Sequence, residues 1–308
     1  MNMKQWLKGI VAILLLFTIT ACNKSNQDVD EIKVASMVTT ESQIMGNMLK
    51  QLIEHDTNEK VELINNLGSS VVAHQAMQNG DANISAVRYT GTDLTGVLQA
   101  EPLKNPQKAL TFVQDKFDKK YNQTFFDSYG FANTYAFMVT RKTAEQYHLK
   151  KLSDLKKVAS KLQAGVDTSW MNRPGDGYKA FVKEYGFDFK DVFPMQIGLV
   201  YDAVSAGKMD VVLGYTTDGR IASYDLVILE DDLHFFPPYD ASPFATNELL
   251  EKKPEVRKSI EKLIGKISTK QMQKLNYEAD NNLIEPAVVA EKFLEEHNYF
   301  DEKGGDGQ

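Results

Sequence analysis

Ala76-Met77-Gln78-Asn79-Gly80-Asp81-Ala82-Asn83-Ile84 and Ala203-Val204-Ser205-Ala206-Gly207-Lys208-Met209-Asp210-Val211 decide how this chain is read. Each runs Ala, apolar, two variable positions, Gly, two variable positions, Asn or Asp, then a β-branched residue. That is the pattern of a helix stopped by a glycine cap, a turn and a strand. Followed forward, the first copy enters the β-prone run Ile84 to Val87 and then Arg88-Tyr89-Thr90-Gly91-Thr92-Asp93-Leu94-Thr95-Gly96. The second reaches Tyr215-Thr216 at nearly the same place, one residue out of step. Two similar lobes would each present a Tyr-Thr loop beyond a strand's carboxyl end, where open α/β sheets leave their ligand crevices. Any two αβ units share part of such a pattern, so the repeat alone leaves one larger sheet open.

Around the first copy, Ile32 to Ala35 and Val61 to Ile64 read as strands, and Thr40-Glu41-Ser42-Gln43 as a capping box. Ile44, Met45, Met48, Leu49, Leu52 and Ile53 then share one helical face, and Gly68-Ser69-Ser70 opens the helix that Gly80 ends. Residues 102–132 read as a polar helical segment with Phe112, Phe117, Phe125 and Phe126 packing inward. Around the second copy, Thr134 to Val139, Gly165-Val166, Met195 to Leu199 and Asp210 to Leu213 read as strands. Ser153-Asp154-Leu155, Lys179 to Tyr185 and Tyr201 to Ala206 are expected in helices. From Glu248 onward the pattern is helical. Alternating β and α elements predict mostly parallel sheets covered by helices. If C-terminal residues complete the first lobe, the chain crosses twice, near Ala132 to Tyr135 and near Phe236 to Tyr239, where Pro237-Pro238 stiffens the passage.

The ends read differently. Lys4 and Lys8 precede the apolar run Ile10 to Phe17, and Ile19-Thr20-Ala21-Cys22 follows. A basic start, a short apolar core and a small-residue junction make a secretory leader, too short to span a bilayer comfortably. The chain's single cysteine stands at that junction, as in the bacterial lipobox, so Cys22 is the expected lipidation site; an ordinary leader with an incidental cysteine is the alternative. The expected organisation is a leader over 1–21, a flexible tether over 22–31, lobe 1 from 32–132 plus 239–300, lobe 2 over 133–238, and a disordered tail over 301–308. This places the protein on the cell membrane, lipid-anchored on the extracytoplasmic face.

A chain of 308 residues with a formal charge of −7 and a pI near 5.4 is ill suited to nucleic acid, which needs clustered Lys and Arg. One thiol excludes a disulfide framework. His55, His74, His148, His234 and His297 are not spaced as metal ligands, and there is no Walker A loop, no G-x-S-x-G elbow and no dinucleotide fingerprint. Neither metal nor cofactor is therefore expected, and a lipoprotein hydrolase is the weaker class beside a solute receptor.

A receptor's ligand should be legible at the strand ends and crossings, which offer Tyr89, Tyr135, Tyr215 and Tyr239. A quaternary ammonium has no N–H to donate, and aromatic faces are the groups that attract it. With thirteen tyrosines in the chain, four near loops do not by themselves define a box. Tyr89-Thr90-Gly91-Thr92, Asn133-Thr134-Tyr135-Ala136, Arg173 with Asp176-Gly177-Tyr178, and Phe235-Phe236-Pro237-Pro238-Tyr239 occur in order, and together they resemble the substrate-binding lipoproteins of glycine betaine/carnitine/choline ABC importers. The resemblance covers Ile32 to Phe300. It implies a two-lobe periplasmic-binding-protein fold (type II) with a ligand cleft between the lobes. The implied partners are an osmoprotectant, an ABC permease with its ATPase, and the membrane through a lipid anchor, with the receptor itself a monomer. Residue by residue it implies that Tyr89, Tyr135, Tyr215 and Tyr239 form an aromatic cage for the trimethylammonium head and that Thr92 helps hold the carboxylate. Two positions depart from the family pattern. Met37 stands where relatives carry a carboxylate-binding glutamine, and Arg88, commonly Glu, is expected at the surface or near an anionic ligand end. Arg173 is expected to pair with Asp176 or to reach the ligand. The same resemblance leaves another trimethylated or betaine-like ligand as the alternative.

Overall fold

The helix–glycine–strand unit is built twice, and the two copies share the bonds that follow the glycine. A computed structural model describes residues 31–173 and 176–300. The leader, Cys22, the tether through residue 30 and the tail lie outside the described residues. In the first copy, the amides of Asp81 and Ala82 both donate to the Ala76 carbonyl at 2.9 and 3.3 Å; in the second, Lys208 and Met209 donate to the Ala203 carbonyl at 2.9 and 3.2 Å. Gly80 (φ 80°) and Gly207 (φ 67°) take the left-handed conformation that turns the chain out of each helix. The Asn or Asp of the pattern then does one job in both places. Asn83 Oδ1 accepts the Lys33 amide at 2.9 Å, and Asp210 Oδ2 accepts the Gln163 amide at 2.8 Å, tying each new strand to its neighbour.

The strands are β1 (Ile32–Met37), β2 (Val61–Leu67), β3 (Ile84–Tyr89), β4 (Gln123–Phe125), β5 (Tyr135–Thr140), β6 (Gln163–Asp167), β7 (Asp191–Met195), β8 (Val211–Tyr215), β9 (Leu226–Ile228) and β10 (Ala241–Thr246). They form two five-stranded sheets of the same plan, β2-β1-β3-β10-β4 and β7-β6-β8-β5-β9. In each, three parallel strands are joined by an antiparallel strand that has just arrived from the other sheet, β10 in the first and β5 in the second. The helix Thr40–Thr57 covers one face of the first sheet with Ile44, Met45, Met48, Leu49, Leu52 and Ile53, all fully buried, and the helices Pro254–Glu261, Thr269–Asp280 and Pro286–Glu296 pack over it. Phe137, Trp170 and Phe181 centre the core of the second sheet.

The chain passes between the sheets through residues 126–134 and 229–240. These passages run antiparallel: Ala132 bridges Asp240, Asn133 donates to the Tyr239 carbonyl at 3.1 Å, and Ala241 donates to that of Phe131 at 3.0 Å. A third attachment lies beside them, where Gln273 and Asn276 donate to the carbonyls of Thr216 and Thr217 at 2.7 and 2.9 Å.

Several local expectations are corrected. The Thr40 capping box does not form: the N-cap position falls one residue earlier, at Thr39, and the two members bond elsewhere, Thr40 Oγ1 donating to Asp280 at 2.6 Å and Gln43 to Asn66 at 3.0 Å. Residues 102–132 contain one helix, Pro106–Tyr121, followed by the short strand β4. The strand expected at 195–199 ends at Met195; β7 is an edge strand that tolerates Pro194, since an edge leaves one row of amides unpaired. Residues 153–155 lie in a 3-10 helix, Leu152–Lys157.

Candidate functional site

Both Tyr-Thr loops end strands that point at the seam between the sheets, and the two residues of each pair divide the work. Thr90 Oγ1 donates to the Pro238 carbonyl at 3.0 Å, and Thr216 Oγ1 donates to the Ala132 carbonyl at 2.8 Å, so each threonine pins its strand end to the opposite passage. Each tyrosine is left facing the seam. There Tyr89, Tyr135, Tyr215 and Tyr239 line a single cavity of about 380 Å³, together with Thr39, Thr92, Thr95, Gly96, Asn133 and Arg173. All five sequence-expected contact residues thus border one space. Tyr135 and Tyr215 are cross-strand partners whose ring centroids stand 4.9 Å apart at 35°. Gly91 permits a close approach here: a Cβ there would lie 2.6 Å from the Pro238 carbonyl oxygen and 3.2 Å from the Tyr239 ring.

Hydrogen bonds orient the rings from behind. Tyr89 donates to Glu41 Oε1 at 2.5 Å, and Tyr135 donates to Asp167 Oδ2 at 2.7 Å. Burial raises the Tyr89, Tyr135 and Tyr239 phenols above their ordinary range, so all three stay neutral and offer ring faces and hydroxyls rather than bases. Burial likewise raises Glu41, opposed by hydrogen bonds from Tyr89, Thr217, Asn133 and Asn276. The cation on the cavity wall is Arg173. Its Nη2 donates to the Tyr135 hydroxyl at 3.2 Å, its Nη1 to Asp176 at 3.3 Å, and its Cζ stands 5.1 Å from the Tyr135 ring centroid. Pairing with Asp176 and facing the cavity are therefore not alternatives, because the guanidinium does both.

Arg88 takes a different place from either expected one. It is fully buried, with Nε and Nη2 on Asp93 at 2.9 and 2.5 Å and its Cζ 4.8 Å from the Phe244 ring centroid. Neither surface nor ligand contact describes it: it fastens the two ends of the loop carrying Tyr89 and Thr92. Asp93, which opens the helical turn that follows Thr92, is its partner. Met37 is buried under the Ser70 hydroxyl, 3.6 Å from its sulfur, and is not part of the cavity wall.

The sequence reading missed Thr39, Asn133, Thr95 and Gly96 as lining residues. Residues 90–97 are helical turns, so positions three and four beyond Thr92 share its face, and that spacing was the available signal. Past Thr95, Arg173 and Tyr239 the cleft opens into a further space of about 630 Å³ bordered by Lys104, Glu184 and Phe235. Lys104 stands 3.8 Å from Glu184 across this opening, an exposed pair worth little by itself. No cluster of His, Cys, Asp or Glu among the described residues could hold a metal ion.

Residues 30–296 match the family described as the substrate binding domain of ABC-type glycine betaine transport systems. The carnitine transport binding protein OpuCC of Listeria monocytogenes is 55% identical over 307 residues, covering 98% of this chain and 100% of the relative. An ergothioneine transport permease/ergothioneine binding protein of Helicobacter pylori is 31% identical over 265 residues, 85% of this chain and 47% of that protein. The crystal structure of a glycine betaine/carnitine/choline ABC transporter protein is 62% identical, with a TM-score of 0.86 covering 88% of this chain and 100% of that one. The two sheets and their seam are thus the two lobes and cleft of a periplasmic binding protein. With the match spanning nearly all described residues, the chain belongs to the family of substrate-binding domains of ABC-type glycine betaine transport systems.

Proposed function

We propose that this chain is an extracytoplasmic receptor that binds quaternary-ammonium compatible solutes of the glycine betaine, carnitine and choline type and delivers them to an ABC permease with its ATPase. The observation that carries the reading is the convergence of four tyrosines from both sheets and one crossing on a cavity of about 380 Å³. Ring faces attract a cation that cannot be hydrogen-bonded, and each desolvated cation–π contact is worth about 0.5–2 kcal/mol. In this reading Tyr89, Tyr135, Tyr215 and Tyr239 hold the trimethylammonium head, and Thr92 and Arg173 meet a carboxylate at the other end. Lobe 1 comprises residues 32–132 and 239–300, lobe 2 residues 133–238, and closure is a rotation about the paired passages. The protein works as a monomer without cofactor or catalysis, held to the membrane by a lipid on Cys22. Another betaine remains the second reading, supported by the ergothioneine-binding relative.

Calorimetric titration of the purified protein with glycine betaine, carnitine and choline tests the reading. Binding of at least one is expected, weakened about tenfold or more by Tyr215→Ala. Heat-silent titrations with all three, or an unaltered affinity in the variant, would remove the cage. Mass spectrometry of the membrane-extracted N-terminal peptide, with Cys22→Ser released to the medium, tests the anchor.

A further inference from the structure

We propose that Glu41 tunes the cage from behind: by accepting the Tyr89 hydroxyl it enriches the electron density of the ring face that meets the quaternary ammonium, and so sets cation affinity without touching the ligand. This rests on the quaternary-ammonium reading of the cavity.

Glu41 is 3% exposed and is not part of the cavity wall. Its Oε1 accepts Tyr89 Oη at 2.5 Å and Asn133 Nδ2 at 3.3 Å, and its Oε2 accepts Asn276 Nδ2 at 3.4 Å. Among the described residues, every side chain that bonds it is neutral: Tyr89, Thr217, Asn133 and Asn276. The contrast with the neighbouring buried carboxylate is informative, because Asp93 has a guanidinium against both oxygens. A buried carboxylate without a cation is costly. It sits here in the first turn of the 18-residue helix Thr40–Thr57, whose amino-terminal dipole favours an anion.

A glutamine could serve as a purely structural pin, since its carbonyl oxygen would still accept from Tyr89. What a glutamine lacks is the charge, and the geometry points that charge at one phenol on the cavity wall. A phenol that donates to a carboxylate keeps its proton, but its O–H bond is polarised toward the acceptor, electron density moves onto the ring, and the negative potential over its face deepens. A quaternary ammonium on that face then acts as the absent counter-charge, one ring away. Tyr135 carries a similar bond to Asp167, but there Arg173 donates to the same hydroxyl and offsets it. Tyr89 is therefore the ring on which a carboxylate acts without a cationic competitor on its hydroxyl.

The test is a cycle of Glu41→Gln, Tyr89→Phe and the double variant, titrated with choline and with its uncharged carbon isostere 3,3-dimethylbutan-1-ol, and with glycine betaine in parallel. For choline and glycine betaine each single variant is expected to lose about three- to tenfold in affinity, and the double no more than the larger single loss. The isostere should hardly distinguish wild type from either variant. Losses that multiply in the double variant would place the effect outside the phenol and overturn the proposal; so would an unchanged choline affinity in Glu41→Gln, or equal losses for choline and isostere, the mark of a structural pin. Should Glu41→Gln fail to fold, Tyr89→Phe alone decides, since it breaks the same bond while keeping the ring. A wild-type protein that binds none of the charged probes instead refutes the underlying reading.

Discussion

Removing either member of the Arg88–Asp93 pair leaves a full charge in the core of the first sheet. Both side chains are 0% exposed, two hydrogen bonds of 2.9 and 2.5 Å join them, and Arg88 Nη1 already has no hydrogen-bond partner among the described residues. Breaking a buried pair from one side costs about 3–5 kcal/mol. Asp93→Asn and Arg88→Met should each fall in that range, lowering the unfolding midpoint by about 6–20 °C for a chain of this size. Replacing both, Arg88→Met with Asp93→Leu, should cost much less than the sum, because the Phe117 and Phe244 rings that now stack on the guanidinium also suit a thioether. Urea unfolding followed by far-ultraviolet circular dichroism at pH 7 measures all variants on one scale. Ligand affinity should fall in Asp93→Asn as well, since Thr92 is its neighbour in the fastened loop. Single variants within about 1 kcal/mol of wild type, or a double variant whose loss equals the sum of the two, would refute the reasoning.

Two further perturbations follow from the same region. His74 is buried against Phe117 and Tyr121, and desolvation, helped by the charges of Arg88 and Lys120, lowers its pKa from 6.5 to about 4. The unfolded chain therefore binds a proton on this ring between those values and the folded chain does not. Stability is lost as pH falls from about 6.5 to 4, by up to about 3 kcal/mol, and His74→Phe should flatten that part of the wild-type urea profile. A His74→Phe profile as steep as wild type would show that other groups set the slope. Gly91→Ala drives a methyl to 2.6 Å from the Pro238 carbonyl; betaine affinity should drop more than tenfold by calorimetry while the unfolding midpoint moves by only a few degrees, and unaltered binding would show that the passage can yield.

The parts legible in the sequence were those set by local chemistry. Glycine caps, β-branched runs and a helical apolar face are short-range signals, and they located the two copies of the repeat and the tyrosines that end them. The strands that were missed are short or violate the usual pattern: β4 and β9 have three residues each, β7 has a proline, and β10 contains Pro243 yet is buried along its whole length. Their identity depends on neighbours distant in the chain. Glu41 failed for the same reason; Arg88 has its partner Asp93 only five residues on, and what the sequence hid is its burial under the Phe117 and Phe244 rings. A charged residue beside a loop or in a first helical turn reads as surface or cap, whereas Glu41 finds its partners 48, 92 and 235 residues away. No periodicity encodes such contacts.

The order β2-β1-β3-β10-β4 has a consequence in time as well as in space. All strands of the second sheet lie between residues 135 and 228, so that sheet is complete as soon as its own stretch has been made. The first sheet, begun a hundred residues earlier, must wait with the facing edges of β3 and β4 unpaired until Ala241–Thr246 arrives to fill the gap between them. Unpaired edges recruit other strands. The half of the protein that is synthesised first is thus the last to close, and the interval before β10 docks is when the nascent chain most needs to be kept from its neighbours.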